Sequence, residues 1–220
     1  TTPADGVIAL GTTTTAGVLV YTGAGETTDR NVDLPGTTGG ATIQNSGTGR
    51  IILTGNVTAS GAGAKVLLLT GVNTSSNEIA GVISDNSAVN TTALTKNLQG
   101  VWKLSGSNTY SGKTIITRGT LSVNSLNKVV GGQPSSSLGA PTTVANGTIN
   151  LGGATTASAL IYTGAGETSD RVINLTSTTG GDTIQNDGSG PLVLTSDFTA
   201  TGNGIKTLTL SGANTGDNRI

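Results

Sequence analysis

The 220-residue sequence contains no cysteine, no histidine and no methionine. Without cysteine there is neither a thiol nucleophile nor a disulfide. Without histidine the usual acid/base of neutral pH is gone, and with all three absent no soft metal ligand remains. Cohesion must come from backbone hydrogen bonds and aliphatic burial. A secreted protein of this size can do without disulfides if its backbone ladder is long, so the missing cysteine does not fix a compartment.

Aromatic residues are 2 % of the chain, namely Trp102, Phe198 and three tyrosines, so the interior is built from Val, Ile, Leu and Ala. Charged residues are 10 %, against about 25 % in ordinary domains, and the formal net charge is -1. No basic cluster is present, which argues against nucleic acid as a partner. The apolar runs fall far short of the roughly 18 residues that a membrane-spanning helix needs, so no membrane insertion is expected of this segment. Thr1 to Gly6 carry no basic or apolar targeting pattern, and the chain is expected to start within a longer protein.

What is abundant is turn and strand chemistry: 35 glycines, with Thr, Ser and Asn filling much of the rest. Short apolar clusters, at Val7 to Leu10, Leu19 to Tyr21, Val32 to Leu34, Thr42 to Ile43, Ile51 to Leu53 and Val66 to Leu69, recur between Gly, Thr, Asn and Asp. Such punctuation is that of short strands joined by turns. No segment has a helical period. Low net charge and dense aliphatic clusters weigh against disorder.

The sequence also repeats itself. YTGAGETTDR from Tyr21 to Arg30 returns as YTGAGETSDR from Tyr162 to Arg171, an offset of 141 positions (162 minus 21) that holds without a gap. Thr1 to Gly11 return at Thr142 to Gly152, TTGGATIQN from Thr37 returns from Thr178, and LTGVNT from Leu69 returns as LSGANT from Leu210. More than half of the 79 comparable positions are identical. One unit is therefore 1–141, and 142–220 is a partial second unit continuous with it.

Many short strands fit either a parallel solenoid or an antiparallel sandwich. A gap-free repeat favours the solenoid, because stacked coils can be repeated indefinitely whereas a sandwich closes on itself. The expected fold is an all-β, parallel β-helix, with coils of about 20 to 24 residues, six or seven per unit, and about 30 Å of length per unit at ~4.8 Å per coil.

Residues 100–125 read GVWKLSGSNTYSGKTIITRGTLSVNS. Through Trp102, Leu104, Ser105-Gly106, Asn108-Thr109-Tyr110, Ser111-Gly112, Thr114, Ile116, Gly119-Thr120-Leu121 and Val123, this stretch resembles the autotransporter-associated β-strand repeat of bacterial passenger proteins. Ser137-Leu138-Gly139 and Gly147 to Leu151 resemble the continuation of that motif. The resemblance implies a right-handed β-helix on the bacterial exterior. On physical grounds, Thr114 to Thr117 and Thr120 to Val123 are expected to be strands, with Gly112 and Gly119 left-handed at corners. Asn73 and Asn108 are expected to stack as turn ladders, and Trp102 to fill a core or corner position. Lys113 and Arg118 are expected on turn or solvent positions.

The strongest candidate for chemistry is the doubled Glu26, Asp29, Arg30 and Glu167, Asp170, Arg171. Paired carboxylates beside arginine fit glycoside or polysaccharide cleavage. The simpler expectation is that Asp29 and Arg30 pair across a solvated turn, because an active site has no need to recur in each unit. Calcium would need more oxygen ligands than Asp85-Asn86 or Asp217-Asn218 offer. The Thr-x-Thr of Thr207 to Thr209 and the run Thr12 to Thr15 are too isolated for an ice-binding face, and the sequons at Asn56, Asn90 and Asn174 carry little weight in so Thr-rich a chain. No catalytic, cofactor or metal residue is assigned.

The function expected is structural or adhesive and not enzymatic: an extracellular rod or filament on the bacterial surface, joined head-to-tail or laterally to itself and with cell-surface or matrix carbohydrate as a further partner. A carbohydrate-binding or polysaccharide-lyase β-helix is the alternative.

Overall fold

A computed structural model describes residues 6–38 and 40–220; the Thr1 to Asp5 part of the repeat, and Gly39 within TTGG, lie outside the described residues. The chain forms twenty-one short strands and, among the described residues, one four-residue helix, Val144–Gly147. Every strand-to-strand pairing is parallel. The gap-free repeat thus becomes a parallel β-solenoid, coils stacked along one axis.

Each coil crosses three faces. The first carries Gly17–Tyr21, Ala41–Asn45, Lys65–Gly71, Thr92–Lys96, Thr114–Ile116, Ile149–Leu151, Ile173–Leu175 and Thr199–Ala200 in one sheet, so the chain makes about eight turns. The second carries Glu26–Thr28, Ile51–Leu53, Asn77–Ile79, Val101–Leu104, Gly119–Val123, Ser158–Tyr162, Gly181–Asn186 and Thr207–Ser211. The third is made of shorter pieces: Ile8–Ala9, Val32–Asp33 and Val57–Thr58 at one end, Glu167–Ser169 and Leu192–Leu194 at the other.

Strand alternation points every second side chain inward, and parallel register stacks these into columns. One column runs Ile43, Leu69, Lys96, Ile116, Leu151, Leu175. Another runs Trp102, Leu121, Leu160, Ile184. Trp102 is fully buried and its indole N–H donates to the Thr70 carbonyl at 3.0 Å, the core role expected of it. The polar ladder forms, but from other asparagines: Asn45 donates to Asn77 at 2.5 Å and Asn186 to Asn218 at 2.6 Å. Asn73 and Asn108 instead donate to the backbone carbonyls of Gly47 and Ser137. Gly119 has the expected positive φ of 72°. Gly112 does not; a Cβ there would sit 2.4 Å from the Thr92 carbonyl oxygen, so glycine is required by coil spacing and not by handedness.

Coils are longer than expected. Partners on the first face are 24 residues apart (Gly17 to Ala41), then 26 (Ala41 to Leu67) and 27 (Lys65 to Thr92). Two exceptions follow, 20 (Leu94 to Thr114) and 35 (Thr114 to Ile149), before the spacing returns to 24 (Ile149 to Ile173). Third-face strands of two residues bury few side chains and hardly register as apolar clusters, which is why counting clusters underestimates the coil.

The consequence is a phase shift. Gly17–Tyr21 lies on the first face, while its counterpart Ser158–Tyr162, 141 residues on, lies on the second. Ile8–Ala9 lies on the third face and its counterpart Ile149–Leu151 on the first. A unit therefore advances five coils and one face, about 26 Å at ~4.8 Å per coil, not six or seven coils. Successive units are turned by about a third of a revolution.

Candidate functional site

The 35-residue spacing arises because the chain leaves the regular path after Val123, and residues 124–148 form a lateral loop before rejoining the first face at Ile149. The short helix Val144–Gly147 closes this loop, with the Thr143 hydroxyl accepting from the Asn146 N–H at 3.3 Å. Above the loop lies the second copy of the doubled segment, Glu167 to Arg171.

Its side chains grip loop backbone. Glu167 accepts from the N–H groups of Leu126 at 2.7 Å and Asn127 at 2.5 Å. Asp170 accepts from those of Val129 at 2.6 Å and Val130 at 3.0 Å. The Ser169 hydroxyl donates to the Asn127 carbonyl at 2.6 Å. Arg171 supplies the opposite polarity, donating from Nη1 to the carbonyls of Leu126 (2.9 Å) and Leu138 (2.7 Å) and from Nε to that of Gly147 (2.7 Å). Two carboxylates thus serve four N–H groups and one guanidinium serves three carbonyls, all on the lateral loop.

Arg171 has no exposed surface. Burial pulls its pKa down to about 10, opposed by Tyr110, Glu167 and Asp170, so it stays charged at neutral pH. Nη2 has no hydrogen-bond partner. Tyr110 beside it is also buried, its hydroxyl 3.0 Å from the Thr114 hydroxyl and its pKa raised to about 12 by desolvation.

The first copy does none of this. Glu26, Asp29 and Arg30 are exposed, and among the described residues their side chains make no hydrogen bond. Local geometry is nevertheless preserved: the Arg30 N–H faces the Thr28 hydroxyl at 3.4 Å as the Arg171 N–H faces the Ser169 hydroxyl at 3.3 Å. The expected Asp29–Arg30 ion pair does not form. The ion pairs among the described residues are Lys103–Glu78 at 3.2 Å and Arg219–Asp217. Consecutive residues of extended chain point to opposite sides, which keeps Asp29 and Arg30 apart.

Other acidic and basic groups also hold backbone. Asp85 accepts from the Thr92 N–H at 2.6 Å and the Ser111 hydroxyl at 2.6 Å, joining adjacent coils. Lys65 caps the carbonyls of Ala62 and Gly63, and its counterpart Lys206 those of Gly202, Asn203 and Gly204. Lys96 sits within an aliphatic column and donates to the carbonyls of Asn97, Leu98 and Arg118; burial, with the Arg118 charge adding to it, lowers its pKa to about 7. Among the described residues no group of three or more carboxylates is placed to hold a metal ion. The buried role of Arg171 had one sequence signal, the long irregular stretch after Val123, but nothing in the residues said that this stretch would fold beneath the doubled segment.

Residues 94–123 match the model of the passenger-associated-transport-repeat. This stretch covers the expected motif and includes its strands Val101–Leu104, Thr114–Ile116 and Gly119–Val123. Over 214 residues, 93 % of its length, the chain is 40 % identical to the adhesin BmaC autotransporter of Brucella suis biovar 1 (strain 1330). It spans 6 % of that adhesin's length. No solved structure matches the chain.

Proposed function

We propose that this chain, an autotransporter-associated repeat protein, serves as a segment of a secreted, adhesive passenger at the bacterial surface, acting as a rigid rod and not as an enzyme. The observation that carries this reading is the uninterrupted parallel ladder, eight strands long on each of two faces. In a stack of this kind each coil supports its neighbours, so adding units adds length and stiffness without altering the coils already present. The similarity to an autotransporter adhesin supports the adhesive part.

The side-chain chemistry fits a mechanical role. Glu167 and Asp170, the carboxylate pair best suited to cleaving a sugar, spend their oxygens on backbone N–H groups of the loop. Of the five aromatic residues, Trp102, Tyr110 and Tyr162 are buried, which leaves little for stacking on sugar rings. Outward-facing Thr, Ser and Asn side chains between the strands offer the contacts that adhesion needs.

The test is to display the chain on a non-adherent bacterium and measure attachment to matrix-coated surfaces, with acidic polysaccharides incubated in parallel. Attachment above the empty display vector, without chain cleavage of the polymer, is the expected result. Polymer cleavage without attachment would replace the rod reading by the lyase alternative.

A further inference from the structure

We infer that the first coils of this chain form a docking surface for a second repeat unit, with Glu26, Asp29 and Arg30 as an empty clasp for that unit's counterpart of loop 124–141. The inference deepens the rod reading and rests on it, since both require units to stack.

The argument comes from the junction that the molecule already contains. There the end of the first unit meets the start of the second through three consecutive contacts. Ile149–Leu151 pairs with Thr114–Ile116, Ser158–Tyr162 pairs with Gly119–Val123, and Glu167 to Arg171 grip the loop. Subtracting 141 from the upper partner of each contact gives Ile8–Leu10, Gly17–Tyr21 and Glu26–Arg30.

Those three segments are the ones whose counterparts are covered and which are themselves uncovered. Ile149, Leu160 and Tyr162 are 0 %, 1 % and 1 % exposed, whereas Ile8, Leu19 and Tyr21 are only partly buried. Arg171 is sealed and Arg30 is exposed. The outer edge of Gly17–Tyr21 has no strand beside it among the described residues, so its N–H and C=O groups present a template for a parallel strand.

The occupant is set by the same comparison. It must present a strand in the manner of Gly119–Val123, another in the manner of Thr114–Ile116, and a loop whose N–H groups at the 126, 127, 129 and 130 positions and carbonyls at the 126 and 138 positions point at the clasp. Because each unit turns by one face, the loop seated by Glu26 lies over the second face, a third of a revolution from loop 124–148 over the third. A rod of such units carries its lateral loops in a three-start pattern.

The decisive experiment joins a copy of residues 101–141 directly in front of Thr1, which recreates the Pro141–Thr142 connection, and compares Arg30→Ala in the 220-residue chain and in the extended one. Arg171→Ala in the parent chain is the internal standard. The expected result is no change in melting from Arg30→Ala in the parent chain, but in the extended chain a fall comparable to that caused by Arg171→Ala. Amide exchange at Glu26 to Arg30 should slow at least tenfold on extension. Arg30→Ala neutral in both chains, or exchange at these residues unaltered by the extension, would overturn the inference. These readouts are independent of attachment, so a failed adhesion assay and a failed junction remain distinguishable.

Discussion

Tyr21 to Arg30 and Tyr162 to Arg171 differ at one position in ten, yet one arginine lies in solvent and the other is among the most deeply buried side chains of the chain. Local structure is the same in both, a strand from the glutamate followed by extended chain. What differs is the neighbour below: loop 124–148 under the second copy, no described residue in that place under the first. Burial of a charged side chain is therefore a property of the stack and not of the segment. The same lesson appears in Lys65, buried, and its counterpart Lys206, only partly so.

Three substitutions sharpen this contrast. The largest effect sets the scale for both copies: Ile116→Asp places a carboxylate within a fully buried aliphatic column, and about 4 kcal/mol or more is expected to be lost. Circular dichroism should show the coils around Thr114–Ile116 melting at lower temperature or not forming. Next, Asp170→Ala strips acceptors from the N–H groups of Val129 and Val130 and should cost about 2 kcal/mol, whereas Asp29→Ala in the first copy should leave the melting curve unmoved. Equal losses from the two would mean that the doubled segment matters for its own turn and not for the loop.

The smallest effect is a pH dependence. Lys96 has a folded pKa of about 7 against 10.5 for an unperturbed lysine. Between those values the unfolded chain binds more protons than the folded one, so stability rises as pH increases from about 7 to about 10.5 and the gain is lost again below 7. Lys65 is shifted in the same direction by burial. Melting temperatures across this range should climb in the wild type and climb less in Lys96→Met, which keeps the aliphatic stem in its column; an unaltered slope in the variant would show that the slope arises elsewhere.

Much of the architecture was legible in the residues because a solenoid is close to a one-dimensional object. Alternating apolar residues specify strands, and a gap-free offset specifies coils that repeat. The motif from Trp102 to Val123 gave Thr114–Ile116 and Gly119–Val123 nearly residue by residue. Coil length was less legible, since Val32–Asp33 and Val57–Thr58 add so few inward side chains. The ladder asparagines were misassigned for a related reason: Asn45 and Asn77 meet only through the register of Ile51–Leu53 against Asn77–Ile79 and of the turns beside them.

The amino-acid sequence by itself determined that the chain is β throughout, that its cohesion is aliphatic and backbone-borne, and that it recurs every 141 residues. Only the tertiary structure decided which face each recurrence occupies and what covers Arg171. The physical reason is that the strand pattern is local, with a period of two residues, while the phase of a coil is a sum over all coils before it. One shortened coil after Leu94 and one lengthened by the loop after Val123 are enough to turn the second unit by a face, and no local signal records that sum.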